Sequence, residues 1–133
     1  MALFLAKTDP GTYSIDDLER DGTTVWDGVH SPAALQAIKA MAPGDQVLIY
    51  HSQGQAKILG LAEVTSAPRL DPNDAKSWVV DLRFVKRLTT PVTLQEIKAT
   101  HQFDDWALVR QGRLSTMGVP DSFAEWLREK GEL

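Results

Sequence analysis

An α+β domain built on one curved or barrel-like sheet, with short helices flanking it, is the fold this sequence predicts. Residues Trp78, Val80, Leu82 and Phe84 alternate with Val79, Asp81, Arg83 and Val85, the period of two that marks a half-buried strand. Short capped helices fall between such strand patterns without the strict alternation of a doubly wound sheet. The chain has 133 residues and 43% hydrophobic content. That is enough for one core and a single domain over 1–133, at roughly 100–200 residues per domain.

The elements follow in order. Leu3-Phe4-Leu5-Ala6 reads as a buried strand, stopped by Asp9-Pro10-Gly11. Ser14, with Asp17 three residues on, caps a short helix from Ile15 to Arg20 that Gly22 closes. Ser31-Pro32 opens a second helix, with Leu35, Ile38 and Met41 on one face and Pro43-Gly44-Asp45 at its end. Strands are expected over Gln46 to His51 and, after a turn at Gly54, over Ile58 to Val64. Thr93 and Glu96 have the spacing of a capping box for a helix through Lys98. Arg110 to Met117 fits no template, because Gly112 and Gly118 interrupt sparse apolar residues. Ser122 and Glu125 suggest a last capping box, with Phe123, Trp126 and Leu127 on the apolar face and an end near Gly131. Phe4, Leu48, Leu61, Val80, Leu82 and Phe84 are the expected core.

The net charge of −4 argues against broad electrostatic binding of nucleic acid. Cysteine is absent, which excludes disulfides and thiolate metal sites. No apolar run approaches the ~18 residues of a membrane span, and Met1 to Ala6 is too short for a leader. A cytoplasmic protein without a membrane partner is expected. His30, His51 and His101 are isolated, and no phosphate loop or dinucleotide fingerprint occurs. Neither metal nor cofactor is expected.

Four segments carry a resemblance. They are Lys7-Thr8-Asp9-Pro10 with Tyr13-Ser14-Ile15-Asp16-Asp17-Leu18, then Trp26-Asp27-Gly28-Val29, then Gly44 to Ser52, and last Leu108-Val109-Arg110-Gln111-Gly112-Arg113-Leu114-Ser115. In this order and spacing the chain resembles the EVE domain family of the PUA-like superfamily, over nearly its whole length. The resemblance implies a PUA-like curved sheet or β-barrel and a pocket that accepts a modified nucleobase, either modified cytosine in DNA or a modified base in RNA. It departs from the family at Phe4, where a Trp is usual. It departs again at His30-Ser31-Pro32-Ala33-Ala34-Leu35, where many members carry an Arg-Asn-Tyr-like run.

The ligand-binding candidates are Tyr13, Ser14, Trp26, Gly28, Val29, His30, Tyr50, His51, Ser52, Arg110, Arg113, Leu114 and Ser115. Trp26 sits in a polar, glycine-containing stretch, where it offers a face for a flipped base or serves as a core Trp with its N–H on a backbone acceptor. His51 and Ser52 lie where a strand meets a turn. They are suited to a base edge or to structural bonds, but adjacent strand residues point apart and exclude a Ser-His dyad. Arg110 or Arg113 offers a planar fork to phosphate or a base edge, or pairs with a carboxylate such as Asp27. Trp26, Tyr50, His51, Arg110 and Ser115 are expected to converge on one concave site. The charged helix at Asp16-Asp17-Glu19-Arg20 reads as a solvated face, and Lys86 and Arg87 as further positive charge.

Two other functions stay open. Lys7, Thr8 and Glu63 are the residue types used by the ASCH domain, a sister PUA-like family that includes amidohydrolases of acylated nucleosides. In such a nucleoside-processing amidohydrolase a Lys would activate the Thr hydroxyl. A small-ligand or protein-interaction module is the third reading, favoured by the acidic balance.

Overall fold

Alternate residues of the central strands enter two different hydrophobic cores, because successive side chains of a strand point to opposite faces of the sheet. The computed structural model describes residues 2–133; Met1, the start of the apolar N-terminal run, lies outside them. The elements are β1 (Leu3–Thr8), α1 (Ile15–Asp21), β2 (Thr23–Trp26), α2 (Pro32–Ala40), β3 (Gln46–His51) and β4 (Lys57–Val64). They continue with β5 (Arg69–Asp71), β6 (Asp74–Thr93), α3 (Leu94–Ala99), α4 (Ala107–Arg110), β7 (Thr116–Gly118) and α5 (Asp121–Glu129).

Among the described residues, seven strands form one mixed sheet in the order β2-β6-β4-β3-β1-β7, with β5 paired to β6 off this path. β1 and β3 run parallel, with Leu5 opposite Leu48. The other pairs are antiparallel, among them Leu48 with Leu61 and Trp26 with Val80. The sheet is not closed: β2 and β7 end it without meeting, so of the two expected forms, a curved sheet or a barrel, the closed barrel does not hold.

One face carries Phe4, Ala6, Val47, Ile49, Ala62, Val80 and Leu82, packed under Ile15 and Leu18 of α1 and Ala34 and Ile38 of α2. The opposite face carries Leu5, Leu48, Tyr50, Ile58 and Leu61 beneath Ile97, Leu108, Phe123 and Leu127. Of the expected core residues, Phe4, Leu48, Leu61, Val80 and Leu82 are buried, and Phe84 is half-buried against the first core. Val79, placed by alternation on the polar side, is also buried and lies opposite Arg69 of β5.

Three local readings change. The helix at the C-terminal end starts at Asp121 after Pro120, whose extended backbone forms the cap position without a side-chain bond. Ser122 therefore lies inside α5 and closes no capping box. At α3 Thr93 accepts the Glu96 N–H, while the Glu96 carboxylate goes to Lys130 at 2.7 Å, leaving half a box. The face at Asp16 and Glu19 is not merely solvated: both carboxylates take the Arg87 guanidinium, which ties α1 to β6 and neutralises that cation.

Gly60 lets α1 lie close on the sheet. A Cβ added there would stand 2.6 Å from Ile15 Cδ1 and 3.1 Å from the Lys86 carbonyl oxygen.

Candidate functional site

The end of β1, the turn after it, β2 and the segment that follows β2 enclose a cavity of about 460 Å³. That volume lies within the range of small-molecule sites, ~300–1,000 Å³. Its walls include Lys7, Thr8, Tyr13, Trp26, Gly28 and Ser115. Trp26 is not isolated in a polar loop. It ends β2, where pairing with Val80 leaves it 7% exposed. Tyr13 meets it edge-on, with ring centroids 6.3 Å apart at 83°, a preferred aromatic geometry.

Each wall is fixed by a bond from another element. The Tyr13 hydroxyl donates to Asp21 at 2.8 Å. Burial pushes this phenol above its ordinary pKa; a bond with Thr24 pulls it down and Asp21 adds to the rise. Gly28 has φ of 77°, a left-handed conformation that glycine adopts without a Cβ penalty. Val29 is buried, and its carbonyl accepts the Ser77 hydroxyl at 2.6 Å, which pins the segment after β2 to the start of β6. The Lys7 N–H donates to the Ser115 carbonyl at 2.7 Å.

The candidates separate into three groups. Tyr13, Trp26, Gly28, Val29 and Ser115 line the cavity. A second group supports it from behind. Ser14 caps α1 by accepting the Asp17 N–H at 3.2 Å. His51 is buried, accepts the Ile15 N–H on Nε2 at 2.9 Å and meets Gln55 Oε1 through Nδ1 at 2.9 Å. Ser52 donates both its N–H and its hydroxyl to the Thr8 carbonyl. Tyr50 is buried in the second core, with the Lys7 amine 5.4 Å from its ring centroid. Leu114 packs between the two cores.

The third group stands outside. His30 is exposed near Asp74, and the run from Ser31 builds the start of α2, with Ser31 accepting the Ala34 N–H. Arg110 faces Asp105 at 3.4 Å rather than Asp27, and Arg113 is exposed. The structure therefore gathers Trp26 and Ser115, keeps Tyr50 and His51 just behind them, and leaves Arg110 off the cavity wall.

Thr12, Thr24, Val25 and Asp27 also line the cavity, beside Lys7, Thr8 and Asp9. The three Lys7-Thr8-Asp9 positions stood in a recognisable segment. Thr12 and Thr24 carried no sequence signal, because a lone Thr in a turn or edge strand is ordinary. Among the described residues no group of three or more His, Asp or Glu gathers as a metal cluster, and no helix is long and apolar enough to cross a membrane.

The hydrolase trio is not assembled. Thr8 donates its hydroxyl proton to the Tyr13 carbonyl at 2.6 Å. Glu63 pairs with Arg83 and sits opposite Gln46, whereas Lys7 sits opposite Tyr50. Four residues of strand thus separate the two positions, roughly 13 Å at ~3.3 Å per residue.

An open mixed sheet flanked by short helices, with an aromatic and polar cavity at the end of β1, defines a PUA-like protein. The EVE domain model matches residues 2–130, and the chain belongs to that family. Thymocyte nuclear protein 1 of Rattus norvegicus is 32% identical over 109 residues, 68% of this chain and 48% of that protein. The chain thus spans about half the length of the curated relatives it matches. The NMR structure of Rpa0253 from Rhodopseudomonas palustris has a TM-score of 0.85 at 35% identity, covering 92% of this chain and 87% of the other. Human THYN1 in complex with 5-methylcytosine containing DNA has a TM-score of 0.87 at 23% identity, covering 100% of this chain and 99% of that one. This last likeness is one of fold.

Proposed function

We propose that this chain is a non-catalytic module that binds a modified nucleobase in the cavity, with modified cytosine of DNA as the ligand. The observation that carries the reading is the pairing of Trp26 and Tyr13 in one wall of a 460 Å³ cavity whose other groups are an amine, hydroxyls and carboxylates. A flipped base needs an aromatic surface to stack on and directed donors and acceptors for its edge. The solved human relative, held with DNA containing 5-methylcytosine, supports DNA over RNA as the source of that base.

Affinity in an acidic chain comes from the base and a few directed bonds rather than from overall charge. The test is binding of single- and double-stranded oligonucleotides, DNA and RNA, with and without 5-methylcytosine at one stated salt concentration, since phosphate contacts make affinity salt-dependent. Modified DNA should bind best. Trp26→Leu, which keeps apolar bulk but removes the ring, should lose about 1–3 kcal/mol of binding. Equal weak binding of every oligonucleotide, unchanged in Trp26→Leu, would overturn the reading.

A further inference from the structure

The amine that the nucleobase reading counts among the cavity's polar groups belongs to Lys7. Lys7 lines the cavity from β1, half-buried, and its Nζ donates to the Gly112 carbonyl at 2.9 Å. Among the described residues no carboxylate lies within ion-pairing distance of it, whereas Lys130 is paired with Glu96 at 2.7 Å. The Gly112 carbonyl and the Tyr50 ring favour the charged form, whereas partial burial without a carboxylate partner favours the neutral amine, the form in which a lysine serves as a nucleophile. Burial holds its pKa below the ordinary lysine value, which raises the share of free amine near neutral pH.

We propose that Lys7 forms a reversible imine with an aldehyde carried by a nucleic acid and held in this cavity, an inference that rests on the nucleobase reading. The nitrogen lone pair attacks the aldehyde carbon and a carbon–nitrogen bond forms. The two amine hydrogens then leave with the carbonyl oxygen as water, and hydrolysis reverses the step without any oxidant or reductant. Two sources carry that chemistry: a formyl group on the base, and the ring-opened sugar left where a base is lost.

The full chain would be incubated separately with a single-stranded oligonucleotide containing one 5-formylcytosine, a matched one with an abasic site, and benzaldehyde. Cyanoborohydride would trap the imine and peptide mass spectrometry would locate it. Lys7 should be labelled at least tenfold above exposed Lys39, Lys76 and Lys98 by one of the two oligonucleotides, and which one identifies the source. Lys7→Arg keeps a cation for Gly112, and Lys7→Gln keeps a donor. Both should lose this adduct while thermal melting shows them folded. Labelling spread evenly over the lysines overturns the inference, as does an unchanged adduct yield in both variants. If the formylcytosine oligonucleotide binds by fluorescence anisotropy yet neither oligonucleotide labels Lys7, the imine fails and the nucleobase reading stands. If benzaldehyde labels Lys7 and no oligonucleotide binds, the nucleic-acid source and the nucleobase reading both fail.

Discussion

The imidazole of His51, at the end of β3, accepts the backbone N–H of Ile15, the first helical residue of α1, at 2.9 Å. The first N–H groups of a helix have no partner within it. Here Ser14 takes the Asp17 N–H and Asp17 returns the bond to Ser14, while His51 takes the N–H between them. The acceptor nitrogen carries no proton, so the ring proton sits on Nδ1 and is donated to Gln55. A strand end thereby holds the helix start next to Tyr13, which forms the cavity wall.

His51→Phe should therefore leave a buried N–H unpaired. A loss of about 1–3 kcal/mol is expected, read as a lower urea midpoint at unchanged slope. His51→Gln, whose side-chain oxygen can accept, should recover part of it. An unchanged midpoint in His51→Phe would show that water or another group takes the bond.

Gly60 and Ile15 should behave as a coupled pair. Gly60→Ala puts a Cβ 2.6 Å from Ile15 Cδ1, and overpacking of this kind costs about 1–3 kcal/mol. Ile15→Val removes that terminal methyl, so the double variant should be more stable than the sum of the two single losses implies. Strict additivity in a denaturation cycle would mean that the clash is relieved by movement elsewhere.

Arg110 and Arg113 are exposed and stand off the cavity wall, away from where a base would sit on the nucleobase reading. On the nucleobase reading, Arg113→Ala should lower the salt slope of oligonucleotide binding by about 1 and leave the preference for modified cytosine unchanged. A titration in which base preference shifts instead would put this side chain against the base edge.

Glu132 is buried and accepts the N–H groups of Thr89 and Thr90 at 2.8 and 2.9 Å. Burial alone would push its carboxyl up, but those two donors, with the charge of Lys86, hold it below the ordinary value of 4.5. A lowered folded-state pKa means stability that is present above 4.5 and lost as pH falls through the folded value. The urea midpoint of the wild type should fall across that acidic window. Glu132→Gln should start lower at neutral pH, and its gap to the wild type should close on acidification. A gap that persists at low pH would assign the effect to packing rather than to charge.

Local chemistry made much of the fold legible. The caps at Ser14 and Ser31 and the proline at Pro32 appear where expected, because a cap depends on atoms within three or four residues. Strands β1, β3 and β4 were readable from short apolar runs bounded by turns. The full β6 was not: its ends are held by β5 at one end and by the second core around Leu88 and Val92 at the other. Both lie beyond a local window.

The site divides along the same line. By itself the sequence determined the family, the helix caps at Ser14, Ser31 and Thr93, and the presence of aromatic and polar residues in turn-bounded segments near the strands. Only the tertiary structure decided that Trp26 is a buried strand residue, since its cover comes from Val80 across the sheet and from Tyr13. It alone set His51 behind the cavity and Lys7 on its wall, and it left Arg110 in solvent. The physical reason is that hydrogen bonding and burial are settled by partners far along the chain. The parallel pairing of β1 with β3 brings Thr8 beside His51, and the antiparallel pairing of β1 with β7 brings Lys7 beside Ser115.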